Sequence, residues 1–447
     1  MKSQHLPQNL ECNRRSIHEQ ITLQAEEEAL TVTNSSPQIY PSLDNTAHRY
    51  EPIAKCPLDR RNIRAQIAET IDFCGTNAAA IDCNGAFPVR EFELIARSGL
   101  LSAPLANNLG GLGLGIDTSS IPQLLTILKD IGRANLAVGR IYEGHVNGLQ
   151  LVQTFGTPAQ IATYARDAHQ HKIFGVWNAE AADGVKIFPL GDGKYRLEGA
   201  KTFATGCGYV ERPFVNGTLP DGTWQMCIVP MERVATNIDP GWWQPAGMRA
   251  TASFKVDFTD IILDESELIG QPGDYYRQPW LTAGVVRFAA VQLGGAEALF
   301  DGTRQFLQSL GRIRDPYQEQ RLGKMAISIE SGYLWLQGAA AQLDRYAPIF
   351  AGEPDVPHPQ AAALVAYASM VRTAIEQICM EAIQLAERSV GTRGLLPPEP
   401  LERIIRDLTL YLRQPAFDVA LATVGQYALQ NAVNGSLWHH EAAPRRI

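Results

Sequence analysis

Few side chains in this 447-residue chain are spaced for chemistry. The seven cysteines (Cys12, Cys56, Cys74, Cys83, Cys207, Cys227, Cys379) are scattered, with no Cys-x-x-Cys pair or other metal-ligand spacing. Reduced thiols and no metal site are expected. The run Asn107-Asn108-Leu109-Gly110-Gly111-Leu112-Gly113-Leu114-Gly115 invites a phosphate-loop reading. Its glycine spacing fits no dinucleotide fingerprint, and no Gly-Lys-Ser/Thr follows for a P-loop. His145 stands alone in a helical stretch, where a histidine is ordinarily a satisfied core or surface residue. Asp418 lies three residues beyond Pro415, a place suited to capping a helix or meeting its dipole. What remains is the stretch Phe174–Gly208, a small β block in a long helical chain, for which a flat cofactor clamped between sheet and helices supplies a reason.

The elements that would position such a cofactor can be read from periodicity. Phe174–Asn178 and Lys194–Glu198 read as strands flanking a Gly191-Asp192-Gly193 turn, with Tyr195 and Leu197 alternating against Lys194, Arg196 and Glu198. Trp224–Met231 and Phe254–Phe258 continue the block. Before it, helices are expected from Pro57 to about Ala80, from Pro88 to Leu101, over Ser119–Arg133 and over Ala137–Phe155. After it come long apolar stripes near 279–310, over Pro316–Ile349 and over Pro359–Ser389, then Pro400–Gln414 and Ala416–Val433. Long stripes with short connections predict an antiparallel four-helix bundle. The polar segment 1–54 shows no sustained period, apart from one candidate helix over Ile17–Leu30, and reads as a loosely packed extension.

The order of motifs resembles the acyl-CoA dehydrogenase superfamily. That family has a Tyr-Gly-Gly-x-Gly loop, here Gly110–Gly115, and a Gly-x-His-x-Asn helix, here Gly144 to Asn147. A strand then ends in a Thr-Glu-Pro-like turn, here Asn178-Ala179-Glu180. Its Leu-x-Gly-x-Lys-x-Trp-Ile-Thr hairpin corresponds to Leu197–Thr205, and its Gly-Met-Arg strand closure to Gly247-Met248-Arg249. The resemblance covers about Pro57 to Val433 and implies an α+β architecture: an N-terminal helical domain (55–170), a middle β domain (171–272) and a C-terminal four-helix bundle (273–447).

It also implies a bound flavin, FAD with FMN as the alternative. Asn178, Ala179, Phe203 and Thr205 would line the ring, Arg312 or Arg314 would meet the pyrophosphate from a neighbouring subunit, and the Gly391–Gly394 turn would lie at the adenine end. Family dehydrogenation needs a carboxylate base in a dry pocket. The two positions that supply it in the family hold Val286 and Pro415 here. Asp418 is then the leading replacement, with Glu143 behind it. Phe203-Ala204-Thr205-Gly206 is similar to a Phe-x-Ser-Gly version found in flavin monooxygenases of the same fold, in which a histidine at the position of His145 approaches the flavin edge.

Three functions follow as expectations. The first is an acyl-CoA-dehydrogenase-type oxidation of the CH–CH group of an acyl thioester. The second is an oxygen-activating flavin monooxygenase acting on a small molecule, and the third is a non-catalytic flavin-binding relative. A homodimer or homotetramer is implied by a flavin site completed from a second subunit. The net charge of −8 gives no footprint for nucleic acid. The best apolar run, Ala361–Val371, is too short for a membrane span. A cytoplasmic location is expected by elimination.

Overall fold

The computed structural model describes residues 63–180, 184–345, 361–414 and 417–431. The expected extension over 1–54, with its candidate helix, lies outside them. Helices α1 (Ile63–Thr76), α2 (Val89–Arg97), α3 (Ile121–Ala134), α4 (Leu136–Phe155) and α5 (Pro158–His169) precede the β block. Two of them start on strong sequence signals. The Asn135 side chain accepts from the N–H groups of Ala137 and Val138 to cap α4, and Thr157 and Gln160 form a reciprocal capping box on α5.

Among the described residues the β block has ten strands in two sheets. They are β1 (Ile173–Trp177), β2 (Lys186–Gly191), β3 (Lys194–Glu198), β4 (Ala200–Ala204), β5 (Val210–Thr218), β6 (Trp224–Ile228), β7 (Asn237–Asp239), β8 (Phe254–Asp257), β9 (Ile262–Asp264) and β10 (Leu268–Ile269). The larger sheet runs β10-β6-β5-β2-β3-β9 with β1 added parallel to β5; the smaller runs β4-β8-β7. The hairpin across the Gly191–Gly193 turn differs from the sequence reading. The partner of β3 is β2, in register Ile187 to Leu197, whereas β1 pairs with β5. Pro189 inside β2 masks its strand character in the sequence. Gly199, at φ +103°, lets the chain leave one sheet for the other between β3 and β4.

Helices α6 (Trp280–Ser309), α7 (Pro316–Arg345), α8 (Ala361–Gly394), α9 (Leu401–Tyr411) and α10 (Phe417–Gln430) follow. On α8, Val371, Ile375, Ile378, Cys379, Ala382 and Ala386 are buried at helical spacing, and α8 packs against both α6 and α7. The N-terminal helices join this bundle closely. A Cβ at Gly294 of α6 would stand 2.0 Å from the Lys129 carbonyl oxygen of α3, so only glycine permits the crossing. The acyl-CoA dehydrogenase order of helices, β domain and helical bundle is thus realised.

Candidate active site

The strand end β1, the strand β4 and the loop before β8 converge on one edge of the β block. Phe203 sits there at φ +52°, a left-handed conformation costly for a side-chain-bearing residue, with its ring about half exposed. Trp242 and Trp243 meet the ring edge-on at centroid distances of 4.8 and 6.0 Å. The Trp243 indole nitrogen is buried without a hydrogen-bond partner among the described residues. A strained, exposed aromatic beside an orphaned donor fits a flat ring system laid against this edge.

Thr205 follows. Its hydroxyl lies 3.0 Å from Ser253 Oγ, which lies 2.8 Å from Thr251 Oγ1. The buried Trp177 ring donates from Nε1 to the Thr205 carbonyl at 2.9 Å, tying β1 to this turn.

Asn178 and Ala179 form the adjacent lip. Asn178 Oδ1 accepts from Asn216 Nδ2 at 2.7 Å, and the Ala179 carbonyl accepts from the Thr202 N–H at 2.9 Å. Beneath them lies Lys201, wholly buried, with Nζ 3.0 Å from Glu180 Oε1 and 5.4 Å from the Trp224 ring centre. Loss of hydration outweighs the pull of Glu180 and lowers the Lys201 pKa. Lys201 thereby fastens the 178–180 turn to β4, a role that the motif position did not disclose.

His145 departs from the expectation of a group facing a flavin edge. It is fully buried, Nδ1 accepts the Phe174 N–H at 3.1 Å, and Nε2 is 2.7 Å from the Leu101 carbonyl oxygen. Accepting on Nδ1 fixes the tautomer with hydrogen on Nε2, so the ring stays neutral. Burial pushes its pKa down to about 4. With both nitrogens engaged by backbone, His145 positions α4 against β1 and has no free site for a reacting proton.

The base positions are also clear. Val286 is buried in α6. Pro415 lies outside the described residues, and Asp418 is exposed in the first turn of α10. Glu143 is buried and already engaged: Arg140 Nη1 donates to Oε2 at 2.7 Å, and Asn147 donates to Oε1. Asp407 accepts the Met248 N–H at 2.6 Å and faces Arg403 at 3.5 Å, which makes it a clasp between the Gly247–Arg249 loop and α9.

The predicted phosphate-end residues do not join this lip through any described contact. Arg312 and Arg314 are exposed in the loop between α6 and α7. Gly391, at φ +58°, and the buried Gly394 close α8. A contact from Gln318 Nε2 to the Ser389 carbonyl puts this loop and turn at one end of the bundle. A groove of about 390 Å³ between α3 and α7, lined by Leu125, Thr126, Tyr333, Leu336 and Gln337, holds none of the flavin-facing residues and is a separate feature. Among the described residues, no three His, Cys, Asp or Glu side chains are placed to share a metal ion, and no helix is long and apolar enough to cross a membrane.

Residues 59–170 match the family model "Acyl-CoA dehydrogenase, N-terminal domain", and residues 286–413 match "Acyl-CoA dehydrogenase, C-terminal domain". The chain belongs to the acyl-CoA dehydrogenase family. It is 23% identical to a dibenzothiophene monooxygenase of Mycolicibacterium goodii over 79% of this chain and 90% of that protein. It is also 23% identical to a probable FMNH2-dependent monooxygenase, SfnC, of Pseudomonas putida over 64% and 72%. A probable acyl-CoA dehydrogenase, YngJ, of Bacillus subtilis is 24% identical over 75% and 88%. FMN-bound TdsC of Paenibacillus sp. A11-2 shares the fold at a TM-score of 0.73 and 21% identity, over 83% of this chain and 98% of that one.

Proposed function

We propose that this family member is a flavin-dependent monooxygenase that uses reduced FMN and oxygen on a small organic substrate. The carrying observation is the buried Val286 at the α6 base position, with Glu143 of the neighbouring helix already tied into an ion pair. An acyl-thioester dehydrogenase without an available carboxylate lacks the proton acceptor its chemistry requires. The similarity to dibenzothiophene monooxygenase and to SfnC favours the same reading over the dehydrogenase expectation, and the FMN of TdsC favours FMN over FAD.

A bound reduced flavin would supply two electrons to O2, one oxygen atom going to the substrate and the other to water. The protein's part is to seat and shield the ring. Phe203 would lie against it, Asn178 and Ala179 would border it, and the Thr205–Ser253–Thr251 hydroxyl chain would offer hydrogen bonds to its edge. Arg312 or Arg314 would meet phosphate from a neighbouring copy, with Gly391–Gly394 alongside. Exposed Ile327 and Leu334 on α7, Met380 on α8 and Leu421 on α10 support assembly through the bundle.

The test is direct. Purified protein is supplied with FMN, a flavin reductase, NADH and 18O2 across a panel of sulfur and nitrogen heterocycles. One labelled oxygen in a product is expected. Bleaching of bound flavin by an acyl-CoA without oxygen, and no labelled product, would restore the dehydrogenase reading.

A further inference from the structure

One face of α4 is polar although it points into the protein. Arg140, Glu143, Asn147 and Gln150 follow at spacings of three or four and share a stripe facing α6. From α6, Arg287 completes the row. Its Nε donates to Asn147 Oδ1 and its Nη1 to Gln150 Oε1. Both partners are neutral amides. Among the described residues no carboxylate lies within ion-pair distance of Arg287, and Nη2 has no protein partner.

The chain treats another deep arginine differently. Arg212 is buried and matched by two carboxylates, Asp167 at 2.6 Å and Glu232 at 2.5 Å. In the Arg287 cluster, Arg140 and Glu143 cancel one another, which leaves one positive charge in excess. Glu143 lies within electrostatic reach of Arg287 and offsets part of its charge, yet two arginines face one carboxylate, and an excess charge that is partly withdrawn from water is costly. Loss of hydration lowers the Arg287 pKa to about 10, yet Arg287, Asn147, Gln150 and Gly284 are only half-buried. Each keeps part of its surface open to solvent.

Gly284 sits one turn before Arg287, and a Cβ there would stand 3.4 Å from Nη2. Glycine leaves that contact position beside Nη2 unfilled. At the far end the buried Tyr411 hydroxyl has no hydrogen-bond partner among the described residues and lies within electrostatic reach of Glu143 and Arg140.

We propose that Arg287 is the anchor for an anionic head group of the substrate, a carboxylate or sulfonate held by its free N–H groups in the space that Gly284 leaves open. Two amides orient the guanidinium without neutralising it, as a receptor for two oxygens of one anion requires. The assignment rests on reading the space beside Val286 as the substrate site, and the test separates it from the oxygenase reading.

The experiment uses flavin-free full-length protein with benzoate and benzenesulfonate as probes and benzamide as the neutral isostere, read by calorimetric titration and thermal unfolding. Wild type is expected to bind the anions at least about tenfold more tightly than benzamide, the order expected for charge-assisted bonds. Arg287→Met should abolish that preference while the melting temperature holds or rises, because the cluster loses its excess positive charge. Gly284→Ala, which keeps the arginine and fills the space, should lose the anions as well and serves if Arg287→Met fails to fold. Equal anion preference in wild type and variants, or no anion binding by wild type, overturns the proposal. It is also overturned if Arg287→Met weakens FMN but not riboflavin, since the arginine would then hold the flavin phosphate. Anion preference lost in both variants, with no labelled product from the oxygen assay, upholds the anchor and retires the oxygenase reading instead.

Discussion

His145 accepts the backbone N–H of Phe174 on Nδ1 at 3.1 Å, a bond that joins α4 to the first strand of the β domain where the two pack together. The acceptor role requires a neutral ring, and burial holds the pKa near 4, below the ordinary 6.5. The sign follows from proton counting. Between pH 6.5 and 4 the unfolded chain binds the proton and the folded chain does not, so stability is lost as pH falls through that window. A shift of this size corresponds to on the order of 3 kcal/mol. His145→Gln keeps a donor for Leu101, leaves the Phe174 N–H unpaired, and should cost about 1–3 kcal/mol at pH 7. The gap between wild type and variant should narrow by pH 4.5, as measured by urea unfolding at each pH. A pH-independent gap would refute the neutral clamp.

Phe203→Ala should weaken FMN binding by about three- to tenfold, the range expected from losing one aromatic contact. The melting temperature of the flavin-free protein should hold or rise, because the half-exposed ring sits at φ +52° and contributes little core. Quenching of FMN fluorescence gives the affinity. Unchanged affinity would move the flavin away from this edge.

Lys201→Met tests the clasp under the 178–180 turn. Methionine fills much of the same volume, so the cost to global stability should stay below about 2 kcal/mol. The Glu180 contact at 3.0 Å is lost, and the turn loosens. FMN affinity should fall while Lys201→Arg, if accommodated, restores part of it. A large drop in melting temperature with normal flavin binding would make Lys201 a core residue only.

The legible part of this molecule is the part written in local signals. The stripe Leu364–Leu385 announces α8, the prolines at 316 and 400 mark helix starts, and Tyr195–Leu197 alternation gives β3 to the residue. Pairing was less legible, because β1 pairs with the distant β5, Ile173 opposite Val210, and β2 hides behind Pro189. Helix α5 was missed although Thr157-Pro158-Ala159-Gln160 carries a capping-box signature. The motif named Phe203 and Thr205, and the structure brings both to one edge of the β block, where their contact with a flavin is the proposal. The neutral clamp at His145 could not, since it depends on two carbonyl and amide groups from distant segments. Arg287 was visible only as the neighbour of Val286. The 140–143–147–150 stripe was the available signal, polar residues at core spacing on an otherwise buried helix.

Asp418 is the last residue whose role a measurement can decide. It was the leading substitute for the missing base, and it lies exposed in the first turn of α10, where a carboxylate meets the positive end of the helix dipole. A base must sit within hydrogen-bond reach of the proton it removes, in a site closed to water. Asp418→Asn keeps the shape and removes the charge. The expected result is unchanged flavin chemistry, with reduction by an acyl thioester and oxygen-dependent turnover both within about twofold of wild type, a change too small for a lost general base. Stability should fall by less than about 1 kcal/mol, the scale of one charge at a helix end. Rapid-mixing absorbance of the flavin band measures the first and chemical denaturation the second. A rate loss of about 10²–10⁴ would instead show that Asp418 reaches the reacting carbon, and would return the acyl-thioester reading to first place.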